Sequence, residues 1–337
     1  MNWMMRDARS CFTTLVCAGV MCGCQKQQPK AQTDVVSETN AEYLSVDLSG
    51  GTIASSYPVT YYRTSGDVPG GPNSEVYKTT RLLMRMIPKG TFIMGSPANE
   101  FERDSVETQH EVTLTKDFFM GVFEVTQRQW ELVMGNRPSY FTNATHYATR
   151  PVELVSYYDV RENPEVYGSA IKPNWPESNA VGSTSFMGKL RAKTGRTFDL
   201  PTEVQWEYAC RAGTAMELNS GKPLTNALKD ASMAEVGRYA YNRSRVVDHE
   251  QSADRTWGTA EVGSYLPNAW GLYDMHGNVW EWCLDWYPKS EGYRRVLRGG
   301  SWFWRASFCR AAYRYERGPN HRNPDYGFRL VLPLGQQ

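Results

Sequence analysis

Apolar and polar positions change rhythm several times along this chain. Residues 11–22 are an uncharged apolar stretch behind Arg6 and Arg9, too short to span a bilayer and of the length of a signal-peptide core. Residues 25–42 are rich in Gln, Thr, Ser and Asn and predict a flexible tether. Residues 43–48 alternate weakly, like a short strand that Gly50-Gly51 breaks, and the Gly/Pro run over 66–72 predicts a loop. The stretch up to 76 is therefore expected to be an irregular lead-in. From Arg81 the signals sharpen. Apolar runs at 82–86 and 91–94 flank Pro88-Lys89-Gly90 and predict a hairpin, with further strands at 111–114 and 118–123. Thr126-x-x-Gln129 is a capping box ahead of Trp130, Val133 and Met134, with Gly135 at the stop. Ser156-x-x-Asp159 starts a second helix, and Phe186 and Leu190, closed by Gly195, mark a third. Thr202-x-x-Gln205 caps a fourth, whose inner face is Trp206, Ala209 and Cys210 before Gly213. Beyond Gly213 no period holds. The pattern as a whole predicts a mixed α/β (α+β) fold with low regular secondary structure and long ordered loops.

Composition sharpens this picture at three points. With 20 Tyr and 11 Trp among 337 residues, the core is expected to be filled by rings. The formal net charge of +1 provides no global field for nucleic acid, so no nucleic-acid partner is expected. Cys11, Cys17 and Cys22 lie in the apolar leader, and Gly23-Cys24 is followed by a polar run. That arrangement resembles a bacterial lipoprotein signal, although Met21 and Cys22 depart from its usual residues. The resemblance implies a chain exported to the cell envelope and held to the membrane by lipid on Cys24. Cys210, Cys283 and Cys309 remain for the folded part, with any disulfide pairing among them open. The organisation read from the sequence is a signal over 1–24, tether and lead-in over 25–76, and one domain over 77–333.

A set of motifs runs along that domain in fixed order. They include Ile87-Pro88-Lys89-Gly90-Thr91-Phe92-Ile93-Met94-Gly95, Glu124-Val125-Thr126-Gln127, Arg150-Pro151-Val152 and Leu200-Pro201-Thr202-Glu203-Val204-Gln205-Trp206-Glu207. Gly277-Asn278-Val279-Trp280-Glu281-Trp282, Arg298-Gly299-Gly300-Ser301-Trp302 and Gly327-Phe328-Arg329 follow. Together they resemble the formylglycine-generating enzyme, or sulfatase-modifying factor, family. The resemblance implies a C-type-lectin-like fold and, in active members, oxidation of a sulfatase cysteine with O₂ at a copper held by two cysteines.

Carried over residue by residue, the resemblance implies a structural Ca²⁺ on the side chains of Asp274 and Glu281 and the carbonyls of Gly277 and Val279. Oxygen donors around a Gly-containing turn suit that hard cation. A second calcium would take Asp254 and the Thr256 carbonyl, although the first position of that site falls on Tyr241. The family's active-site positions fall on Trp280, Ser301 and Cys309. The other copper cysteine falls on Trp304, whose indole has no lone pair to give a metal, so copper binding is not expected. The five histidines, at 110, 146, 249, 276 and 321, show no ligand spacing, which argues against an iron-dependent relative. Nine arginines between 293 and 329 face only Glu316 and Asp325 locally, and are expected to serve ring stacking and loop carbonyls. The reading that follows is an exported domain without formylglycine-generating activity that binds a peptide, glycan or protein partner. The alternatives are an active cysteine oxidase and another oxidoreductase of the superfamily.

Overall fold

The chain is seen in a computed structural model that describes residues 36–143, 145–162, 180–242 and 257–334. The largest sheet is antiparallel in the order β11-β6-β3-β1-β2. It is built from β1 (Tyr43–Asp47), β2 (Val59–Tyr62), β3 (Arg81–Ile87), β6 (Phe118–Gly121) and β11 (Val331–Pro333). A two-stranded ribbon pairs β4 (Gly90–Met94) with β5 (His110–Leu114). The third sheet has the order β10-β7-β8-β9, from β7 (Trp280–Trp286), β8 (Arg295–Arg298), β9 (Tyr315–Arg317) and β10 (Tyr326–Gly327). No helix of the described residues is long and apolar enough to cross a membrane.

Two expectations are corrected. The strands at 82–86 and 91–94 exist, but they do not form a hairpin. β3 carries a contiguous buried run, Leu82 to Met84, which suits an interior strand, and β1 and β6 take its two edges. After Pro88 the chain turns onto the helix that holds Tyr208, so closely that a Cβ on Gly90 would collide with the Tyr208 hydroxyl. β4 then alternates in burial and pairs with β5 alone. The described part of the irregular lead-in, residues 36–76, is likewise an integral part of the fold. β1 sits between β2 and β3, and Leu44, Val46 and Leu48 are fully buried. The short strand read at 43–48 is present as β1, and its alternation is weak because it is buried on both faces.

The caps behave as the spacing predicts. Thr126 and Gln129 close a reciprocal box on α2 (Gln127–Met134), Ser156 and Asp159 do so on α3 (Tyr157–Val160), and Thr202 and Gln205 on α5 (Glu203–Arg211). Ser185 caps α4 (Phe186–Thr194), and Gly135 and Gly195 end their helices in the left-handed region. A short α1 (Val76–Thr79) precedes β3, and α6 (Ala231–Val236) lies in the stretch where no period was readable. The core is aromatic. Trp130 stacks on Phe186 at 5.4 Å and meets the edge of Phe328 at 6.1 Å, which joins α2, α4 and the segment leading into β11. On α5, Trp206, Ala209 and Cys210 are buried against Ile87, Phe118 and Met120 of the first sheet and Cys283 and Val296 of the third. That packing places α5 beneath the loop that enters β7.

Candidate functional site

The loop from Asp274 to Glu281 is tightly wound. Asp274, Gly277 and Asn278 all have positive φ, at 58°, 81° and 61°. Only glycine fits at 277, because a Cβ there would run into the Arg238 carbonyl. Glu124, fully buried, clamps the turn. Its Oε2 accepts from Asn278 Nδ2 at 2.5 Å and its Oε1 from the Val279 N–H at 3.1 Å. His276 pins the other side. Its Nδ1–H donates to the Cys309 carbonyl at 2.6 Å and its Nε2 accepts from the Asn219 N–H at 2.9 Å. Those partners require the neutral ring, and burial pushes its pKa down to about 4. His276 is therefore a structural pin.

The calcium positions divide. Asp274 Oδ2 accepts from the Gly263 N–H at 2.7 Å, while its Oδ1 is buried with no hydrogen-bond partner. Burial pushes this carboxyl up to about 6. Burial also raises Glu124, and the neighbouring Asp274 and Glu281 carboxylates add to that. Buried negative charge in excess, together with an orphaned oxygen, fits a hard cation at Asp274. Glu281 offers no such opening. Its carboxylate receives both Nε and Nη2 of Arg329 at 2.7 Å and the Trp206 indole N–H at 2.7 Å. Among the described residues, no group of three His, Cys, Asp or Glu side chains could hold a metal. The second calcium positions, Asp254 and Thr256, lie outside the described residues.

The redox positions do not fit copper. Cys309 ends a 3₁₀ turn (Ala306–Cys309) and is fully buried among Leu218, Leu224, Met233, Val236 and Tyr239. A Cβ on Gly300 would run into its sulfur. Burial pushes the thiol up to about 12, opposed by the backbone N–H of Ser301. Trp304 belongs to another cluster. It meets Trp280 at 6.2 Å, Phe308 at 4.9 Å and Tyr315 at 5.5 Å, and its Nε1–H donates to Asp325 Oδ2 at 3.1 Å. Cys210, Cys283 and Cys309 are all free thiols and buried. Ser301 Oγ donates to the same Asp325 oxygen at 2.8 Å, and Trp280 stacks on Tyr315 at 4.8 Å. The structure thus brings the Trp280, Ser301 and Trp304 side chains together around Asp325, while the Cys309 thiol is buried in the neighbouring cluster, against Gly300 and the Ser301 N–H.

Asp325 and Glu124 are the residues that sequence reasoning left without a role. Both adjoin or sit within quoted motifs, but only tertiary packing shows what they hold. The arginine run resolves as structure. Arg294, Arg295, Arg298, Arg305, Arg310, Arg314, Arg322 and Arg329 each face a carboxylate. Arg310 alone, fully buried, joins Glu100 and Glu107 at 2.6 and 2.7 Å. Arg317 lies 4.3 Å over the Tyr315 ring.

Comparison with known proteins identifies the family and the fold. The sulfatase-modifying factor enzyme 1-like domain matches residues 73–334. The chain is 31% identical over 241 residues to the chaperone protein LppX of Paenibacillus barcinonensis, across 65% of this chain and 81% of that one. It is 28% identical over 304 residues to the formylglycine-generating enzyme of Bos taurus, across 79% of this chain and 77% of that one. Treponema denticola variable protein 1 superposes with a TM-score of 0.56 at 27% identity, over 75% of this chain and 95% of that one. β1 and β2 lie upstream of the matched span, yet they share a sheet with strands inside it. With its motif order and its mixed α/β sheets, the chain belongs to the sulfatase-modifying factor enzyme 1-like domain family.

Proposed function

We propose that this chain is an exported binding module of its family, without copper-dependent cysteine oxidation, that recognises a peptide, glycan or protein partner. The observation that carries the reading is Trp304. It stands where a copper thiolate is needed, and its N–H is committed to Asp325. The remaining thiol, Cys309, is buried in a different cluster and held protonated at neutral pH. The likeness to a relative named a chaperone favours a protein or peptide partner. The leader and Cys24 supply the export signal and lipid anchor of this reading. Calcium, in the same proposal, would be held by Asp274 with the carbonyls of Gly277 and Val279, while Glu281 balances Arg329. It would supply positive charge to a buried acidic loop and so stiffen it.

The test is Cu(I) competition against a chromophoric chelator, with the reduced protein. The expected result is no stoichiometric uptake, and no mass change in a peptide of the form Cys-x-Pro-x-Arg given copper and O₂. Tight one-to-one uptake that Cys309→Ser abolishes would overturn the proposal.

A further inference from the structure

Asp325 is 3% exposed, and its two side-chain donors, Ser301 Oγ–H and Trp304 Nε1–H, use the same oxygen, Oδ2. Oδ1 is buried and has no hydrogen-bond partner. A carboxylate oxygen without a donor is costly to bury, so this one marks a place where a donor belongs. The surroundings say what kind. Trp280, Trp304, Phe308, Tyr313 and Tyr315 form a continuous set of ring contacts beside Asp325. Trp304, Phe308, Tyr313 and Tyr315 are only partly buried, so this ring set meets solvent along its outer side, and the space between it and Asp325 is called the recess below.

Two charged groups act on Asp325, Arg317 and Glu153, and neither donates to it. Arg317 lies over the Tyr315 ring and donates through Nη1 to the Glu316 carbonyl. Both Glu153 oxygens accept backbone N–H groups, from Phe141 and Tyr140. An anion in the recess would face the Asp325 charge directly. An apolar group would leave Oδ1 without a donor. An ammonium group satisfies both features, because it donates to the carboxylate and is attracted by the ring faces.

We propose that this recess binds the side-chain ammonium of a lysine presented by a peptide or protein partner. The ammonium donates to Asp325 Oδ1, and the lysine methylenes lie against Trp304 and Tyr315. The inference rests on the binding reading above and specifies the group that the partner offers. Ser301 and Trp304 both hold Oδ2 and so leave Oδ1 for the ligand. The substitution at 304 thereby has a positive role, since it builds one wall of the recess and anchors its charge.

The test is a tryptophan-fluorescence titration of the full chain with N-acetyl-lysine methylamide. N-acetyl-norleucine methylamide, of similar shape but uncharged, and N-acetyl-glutamate methylamide serve as comparisons. The expected result is saturable binding of the lysine probe, weakened at least about tenfold for the other two. Asp325→Asn keeps an oxygen for Ser301 and Trp304 and removes the charge. It should weaken the lysine probe by a similar factor while near-ultraviolet circular dichroism stays native. Equal binding of norleucine and lysine, unchanged lysine binding in Asp325→Asn, or no binding of the lysine probe would each overturn the inference. Those failures leave the copper-free reading standing, since that falls only to stoichiometric Cu(I) uptake.

Discussion

Asp325 also makes a prediction about stability that needs no ligand. Burial pushes its carboxyl up to about 6 from an ordinary 3.8, against the hydrogen bonds from Ser301 and Trp304 that favour the charged form. The unfolded chain ionises this group near the ordinary value. Between the two values the folded state binds more protons than the unfolded state, so raising the pH through this window destabilises the fold. The stabilisation is fully present below the unfolded value and lost as pH rises through about 6. Over the whole window the effect amounts to about 3 kcal/mol, and from about pH 5 to about pH 8 it is about 1.4 kcal/mol. Asp325→Asn does not titrate. Its stability relative to the parent chain should therefore rise by about 1.4 kcal/mol between those pH values. Asp274 and Asp285, also raised, carry the same sign and cancel because Asp325 does not act on them, whereas Glu153, raised in part by the Asp325 charge, loses that part in Asp325→Asn and adds to the difference in the same direction. Urea unfolding of both chains at the two pH values, monitored by tryptophan fluorescence, measures it. Two curves that run parallel across the range would refute the reasoning.

Three further outcomes follow from the same geometry. Arg329→Ala leaves the Glu281 carboxylate buried without its bidentate partner and should destabilise by about 3–5 kcal/mol, read as a loss of the denaturation midpoint. Calcium should raise the melting temperature of the parent chain and leave that of Asp274→Ala unchanged; an equal rise in both would remove Asp274 from the site. Cys210, Cys283 and Cys309 are fully buried, and burial pushes all three thiols up, so a thiol reagent should label none of them in the native protein and all three in denaturant.

Much of the architecture was legible where local chemistry is self-sufficient. The capping boxes at Thr126, Ser156 and Thr202 satisfy their own helix ends, so spacing alone was enough to read them. Strand partners were not legible, because β3 and β4 differ in burial rather than in composition, and adjacency in the chain suggested a hairpin that packing forbids. The third sheet escaped because Trp-Glu-Trp-Cys-Leu-Asp-Trp places a fully buried Glu281 among its rings, and that glutamate is tolerated only because Arg329 and Trp206 reach it from afar. In the candidate site, motif order located Trp280, Ser301 and Cys309. It could not reveal that Cys309 and Trp304 face different clusters, or that Asp325 joins Ser301 to Trp304, since both depend on side-chain direction.

The buried arginine pairs set a rule for the order in which this chain can close. Arg310 reaches back across more than two hundred residues to Glu100 and Glu107, Arg298 to Glu207, and Arg329 to Glu281. Until Arg310 is available, Glu100 and Glu107 lack their buried counter-charge and favour water over the core, whereas Glu207 already has Arg211 one helical turn away. The segment that carries Glu100 and Glu107 is therefore expected to dock only once the chain around Arg310 is in place. High sequence separation between contacts makes such folding slow.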